Sequence, residues 1–233
     1  MEGVDDMAVD DDGWAWRPIQ LQKAGTPMSG ISIIGLGNMA GALAGRALAG
    51  GNAVEIIGRD PAKAKELAAA LGGATAGTTG TAPAGDIVIL AVPYASAAAV
   101  VSEYGDALAG KVIIDITNTF NTDATGLVIP EGTSGAQEIA KAVPASAHVV
   151  KAFNTVFGHV LAQGRPLDVF IAGDDAEAKA TASAFIKSLG LRPLDVGGLE
   201  MARWLEGVGP LLMGLARNGA GTFDIALGVD LPG

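Results

Sequence analysis

The sequence predicts an α/β protein of the Rossmann type, a doubly wound parallel sheet with a small α/β cap at its C-terminal end. Three observations predict it. From Ile31 onward, short β-branched runs alternate with Ala-rich stretches of helical length, the pattern of successive βαβ units. The buried-strand pattern Ile31-Ser32-Ile33-Ile34 runs into Gly35-Leu36-Gly37-Asn38-Met39-Ala40, a Gly-x-Gly-x-x-Ala turn at the mouth of a helix. The composition, 49 % apolar against 17 % charged over 233 residues, supplies the core of one nucleotide-binding domain with a short cap.

The elements follow in chain order. Strands are expected at 31–35, 53–58, 74–77 (weakly), 87–92, 112–117, 148–153, 169–172 and 192–196. Helices are expected at 39–49, 61–71, 95–107 and 135–141, in a short stretch after Phe153, at 176–189, and from Leu199 to about Arg217. The irregular stretch 118–134 exceeds an ordinary connection and reads as a lid or cleft wall. In the last helix Met201, Trp204, Leu205, Val208, Leu211, Leu212 and Leu215 recur at three- and four-residue spacing, one apolar stripe for a core or the interface of a homodimer. Residues 1–28, with six acidic side chains against Arg17 and Lys23, read as a disordered extension; 29–155 forms the nucleotide-binding domain and 156–233 the cap.

Charge and composition exclude several classes. A net charge of −10 opposes binding to nucleic acid or an anionic membrane, which need a basic surface. The longest mainly apolar run, from Ile87 to Val101, is broken by Pro93 and Tyr94 and is shorter than the roughly 20 residues of a membrane-spanning helix. The first residues are acidic and lack the apolar stretch of a signal peptide, so a cytoplasmic location is expected, which the absence of Cys suits. With no Cys and only His148 and His159, no metal site is expected; His148 reads as structural, and His159 as a residue within reach of the cleft.

The chemistry concentrates at the strand ends. Gly35 permits the tight turn, Gly37 admits a diphosphate to the unpaired amides opening the helix, and Ala40 with Gly41 lets that helix pack closely on the strand. A site for the unphosphorylated dinucleotide places an acid at the tip of the second strand. Here the tip reads Gly58-Arg59-Asp60-Pro61, with Lys63 one turn into the helix. Arg59 and Lys63 suit a 2′-phosphate, which favours NADP. Asp60 is read as the helix N-cap before Pro61; the alternative, Asp60 facing the ribose, reverses the preference. Val92, Pro93 and Tyr94 stand at the carboxyl edge of the sheet, where they pack against the ribose or nicotinamide or where Pro93 merely ends the strand. Asn118, Asn154 and Thr155, at the ends of the fifth and sixth strands, are candidates for bonding a carboxamide or a reacting heterocycle; no catalytic residue stands out beyond Asn118 and Asn154. Lys151, inside an apolar strand, needs a partner, and Asp115 on the neighbouring strand is the obvious one.

Further marks lie outside the glycine turn: Gly-Arg-x-x-x-Lys at 58–63, Val-Pro-Tyr at 92–94, Lys-Ala-Phe-Asn-Thr at 151–155, Ala-Gly-Asp-Asp at 172–175 and Leu-Arg-Pro-Leu-Asp-Val-Gly-Gly-Leu at 191–199. With these the chain resembles the F420H2:NADP oxidoreductases, also called NADPH-dependent F420 reductases, from about Ser29 to Val229. The resemblance implies NADP(H) lying along Leu36, Gly37, Asn38 and Met39, with its 2′-phosphate held by Arg59 and Lys63 beside Gly58. It implies a nicotinamide near Tyr94, Ala98 and the segment Thr155-Val156-Phe157, with coenzyme F420 as second substrate in a pocket of Asn154, Pro210, Leu211 and Met213. Direct hydride transfer between the stacked rings is the implied reaction. The chain departs from the family pattern where Leu36 and Gly58 replace Thr and Ser, and where Asn154 stands in place of a His of some members. Gly-Asn-Met-Ala also resembles pyrroline-5-carboxylate reductases, whose long helical dimerisation domain is missing here. A reductase of a small imine, carbonyl, other flavin or metal acceptor is therefore the alternative enzyme, and a non-catalytic NADP sensor the alternative from another class.

Overall fold

The computed structural model describes residues 30–230. The reading of 1–28 lies outside them. The strands are β1 (Gly30–Ile34), β2 (Ala53–Ile57), β3 (Thr75–Ala76), β4 (Ile87–Leu90), β5 (Val112–Asp115), β6 (His148–Lys151), β7 (Asp168–Gly173) and β8 (Arg192–Asp195). The helices are α1 (Asn38–Ala49), α2 (Pro61–Leu71), α3 (Tyr94–Tyr104), α4 (Gly135–Ala140), α5 (Gly158–Ala162), α6 (Ala176–Ser188) and α7 (Ala202–Leu215). One eight-stranded sheet runs in the order β3-β2-β1-β4-β5-β6-β7-β8, parallel throughout except where β6 meets β7. The doubly wound fold is as the sequence predicts. The C-terminal part is not a separate layer, because β7 and β8 extend the same sheet beyond β6.

Strand residues alternate between two cores. Ile31, Ile33, Ile87, Ile89, Ile114 and Val150 pack with α1, α5 and α6, while Ile34, Val88, Leu90, Ile113 and Val149 pack with α3 and α4. A parallel sheet covered on both faces needs this unbroken β-branched run, which is why these strands were legible. The ladders of β4, β5 and β6 end two residues before the expected limits, at Leu90, Asp115 and Lys151. Beyond them the chain leaves the sheet to build the cleft. The stripe on α7 divides: Leu205 and Leu212 are buried with Ala202, Glu206 and Gly209, whereas Trp204, Leu211 and Leu215 are exposed.

Strand order reverses between β1 and β4, whose carboxyl ends diverge into α1 and α3. In open α/β sheets this reversal opens the ligand-binding crevice.

Candidate functional site

A cavity of about 520 Å³ occupies that crevice. Met39 from the start of α1 closes one side, and Ala91 to Ala95, between β4 and α3, form another. Ile116, Thr117 and Asn118 after β5, with Phe153, Asn154, Val156, Phe157 and Gly158 after β6, form the floor. Phe120 and Val128 come from the 118–134 segment, which is thus a cleft wall; Arg203 and Arg217 hold it by donating to the carbonyls of Pro130, Thr133 and Asp123. Of the expected site residues the fold brings Met39, Val92, Pro93, Tyr94, Asn118, Asn154, Val156 and Phe157 to this cavity. Thr155 is buried behind it. Ala98, one turn further along α3, is exposed outside it. Pro210, Leu211 and Met213 do not line it either: α7 approaches through Gly209, where a Cβ would stand 2.7 Å from the Phe120 ring, and Leu211 is 65 % exposed.

At the outer end, Gly35 has φ +139°, and a Cβ there would lie 2.0 Å from the carbonyl oxygen of Ala91. Its glycine is dictated by the neighbouring strand rather than by any ligand. Gly37 is exposed, with nothing within 4 Å of where its Cβ would stand, so the backbone entering α1 is open to solvent beside Asn38. Ala40 is buried against the sheet, whereas Gly41 faces Leu67 of α2. Gly58 is buried under Leu36, whose branched end occupies the space a Cβ at 58 would need. Leu36 and Gly58 are therefore one packing feature. Asp60 caps α2, accepting from the amides of Ala62 at 3.0 Å and Lys63 at 3.2 Å, as the sequence predicts. Arg59 and Lys63 are exposed, and among the described residues neither side chain makes a hydrogen bond.

At the inner end the polar groups bond each other. Asn118 donates to the Asn154 carbonyl at 3.0 Å, and Asn154 donates to Asn118 Oδ1 at 3.1 Å and to the Leu205 carbonyl at 2.8 Å. This reciprocal pair ties the end of β5 to that of β6. Lys151 finds Asp115 at 2.8 Å, as expected, and also Glu206 of α7 at 2.9 Å, which sequence reasoning missed. Two buried polar atoms of residues that line the cavity, Thr117 Oγ1 and Asn154 Oδ1, have no partner. Among the described residues no group of three or more His, Asp or Glu is placed to hold a metal ion, and no helix is long and apolar enough to cross a membrane.

A family described as NADP oxidoreductase, coenzyme F420-dependent, matches residues 30–119. The F420-dependent NADP reductase of Methanothermobacter marburgensis is 30 % identical over 171 residues, 70 % of this chain and 72 % of that one. The chain belongs to the F420-dependent NADP reductase family. The enzyme of that name from Methanocaldococcus jannaschii is 32 % identical over 56 % of this chain and 62 % of its own length. Metalloreductase STEAP3 of Rattus norvegicus is 31 % identical over 76 % of this chain, but this chain spans only 36 % of it. A crystal structure from Arthrobacter sp. FB24, provisionally described as an F420-dependent NADP reductase, is 27 % identical with a TM-score of 0.74, covering 83 % of this chain and 96 % of that one.

In this member of the F420-dependent NADP reductase family the packing behind the wall carried no sequence signal. Phe153 has φ +61°, a left-handed conformation rare for an aromatic residue, and its buried ring meets Phe185 edge-on. Phe157 stacks on His159 and receives Phe223 from the C-terminal segment edge-on; His159 bonds the Phe223 carbonyl, so it backs the wall rather than entering the cleft. His148 stands at the start of β6 beside Asp175. Glu206 could have been found: it is a charged residue at helical spacing among the buried positions 202, 205 and 209. The Tyr94 hydroxyl is pushed above its ordinary value, first by burial and then by the negative charges of Glu138, Glu206 and Asp115, partly offset by Lys151. It stays a neutral phenol throughout the physiological range.

Proposed function

We propose that the protein is an NADP-dependent oxidoreductase that passes a hydride between NADP(H) and the deazaflavin coenzyme F420 in this cavity. The observation that carries the reading is the crevice at the strand reversal, lined mostly by apolar residues of the strand ends with Thr117, Asn118 and Asn154 among them. The residues fit the nucleotide. The open backbone at Gly37 and Asn38 would receive the diphosphate at the start of α1, and Arg59 with Lys63 would hold the 2′-phosphate. Met39, Val92, Pro93 and Tyr94 would bound the nicotinamide, with Thr117 and Asn154 also in the lining. When bound, the nicotinamide supplies the carbon that gives or takes the hydride. The chain's own task is to hold two flat rings in contact and keep water away, for which Phe120, Phe153, Val156 and Phe157 supply apolar surface. In this reading residues up to 155 bind the nucleotide and the remainder closes the acceptor side.

The test is to mix the protein with NADPH and F420 and follow the visible band of the deazaflavin. Its loss with NADPH, and much slower loss with NADH, supports the reading. No turnover of F420, with NADPH bound, transfers the assignment to a reductase of another flavin or a metal acceptor. The similarity to a metalloreductase over 76 % of the chain favours that second reading.

A further inference from the structure

We propose that the buried cluster Asp115–Lys151–Glu206 holds a net negative charge behind the cavity floor that favours the oxidised, cationic nicotinamide over the reduced, neutral one. The inference rests on the reading that this cavity receives NADP(H).

All three side chains are fully buried. Lys151 Nζ donates to Asp115 Oδ2 at 2.8 Å and to the Thr117 carbonyl at 2.6 Å, and forms an ion pair with Glu206 Oε1 at 2.9 Å. One carboxylate would balance that ammonium; the fold buries two. Glu206 is further held by donation from Thr119 Oγ1 at 2.7 Å and from the amides of Gly135 at 3.0 Å and Ala136 at 3.2 Å. Asp115 accepts from the Thr117 amide at 2.8 Å. The remaining partners of both acids are neutral N–H and O–H donors, which stabilise a carboxylate without cancelling its charge. The formal balance is one positive against two negative.

Thr117 belongs both to this cluster's hydrogen bonds and to the cavity lining. Its amide donates to Asp115 and its carbonyl accepts from Lys151. Tyr94, whose ring packs at Gly135, the residue whose amide donates to Glu206, registers the negative charges of Glu206 and Asp115 more strongly than the positive charge of Lys151. When a hydride leaves the neutral dihydronicotinamide it carries off a proton and two electrons, and the ring is left with one positive charge. The acceptor deazaflavin takes the hydride on carbon and a proton from solvent. A fixed negative charge hydrogen-bonded to a residue of the cavity lining, in a site of low dielectric, stabilises the ring in its charged state and the transition state leading to it. Asp115, Lys151 and Glu206 act through Thr117 and through their field, as positioning residues that do not touch the ring.

The experiment measures dissociation constants of NADP⁺ and NADPH separately, by calorimetric titration, for the wild type, Glu206→Gln and Asp115→Asn. Each variant removes one negative charge, so NADP⁺ should weaken by roughly three- to tenfold relative to NADPH, and Glu206→Asp should restore the ratio. A merely structural cluster would shift both nucleotides alike, and an unchanged ratio in the neutral variants overturns the inference while leaving the nucleotide reading intact. If neither neutral variant folds, the wild type decides: binding NADPH several-fold more tightly than NADP⁺ overturns it, and the reverse order supports it. Failure of the wild type to bind either nucleotide overturns both readings.

Discussion

At the outer end of the cleft, where β1 and β2 stop, the charged side chains stand in solvent; at the inner end, where β5 and β6 stop, they are buried against one another. Arg59 and Lys63 are exposed, and the backbone at Gly37 is uncovered. Lys151, Asp115 and Glu206 are fully buried and joined through Thr117, Thr119 and the first amides of α4. The difference teaches how each end can act. Exposed cations attract a phosphate from a distance and are screened by salt. Buried groups are fixed in place, so they hold geometry and field without rearrangement, and removing one leaves the others stranded.

Breaking the inner end has the largest expected effect. Lys151→Met leaves two buried carboxylates without their cation and should lower unfolding free energy by about 3–5 kcal/mol, read as an earlier midpoint in chemical denaturation. At the outer end, Arg59→Glu should leave that midpoint nearly unmoved and weaken NADPH by roughly tenfold or more at low salt, a gap that narrows as salt is added; equal NADPH affinity in variant and wild type would remove the specificity argument. A third place sharpens the comparison, since it is half-way between the two. Arg192 donates to both oxygens of Asp168 and to the Val229 carbonyl, strapping the C-terminal segment onto β7 and β8, and its side chain is 41 % exposed. These hydrogen bonds hold the Asp168 carboxyl below the usual carboxylate range. A carboxyl with a lowered folded-state pKa adds stability that is fully present above its unfolded value, about 3.9, and is lost as pH falls through the lowered one. Arg192→Met should therefore cost a small amount of stability at neutral pH, and the two denaturation midpoints should converge below about pH 4.

Element by element, the legible parts are those where the signal is local. Asp60-Pro61 announces the start of α2 because a cap bonds amides two and three residues away. The parallel strands announce themselves because both faces are buried. The strand ends were read too long at Val92, Thr117 and Phe153, since apolar character continues where hydrogen bonding to the sheet has stopped; there the apolar residues serve the cavity instead. Leu211, a member of the stripe on α7, is 65 % exposed. The apolar stripe on α7 is real, but its period does not say which part meets the body of the protein.

The order of residues alone determined the wound sheet, the glycine turn at Gly35 and Gly37, the cationic tip at Arg59 and Lys63, and the pairing of Lys151 with Asp115, because each depends on spacing within one element or between adjacent strands. Only the tertiary structure decided that Leu36 fills the space over Gly58, that Phe157 is backed by Phe223, and that Glu206 joins a cluster 55 residues away from it along the chain at Lys151. Those contacts join distant segments, and desolvation, which makes them matter, exists only once the chain has closed around them.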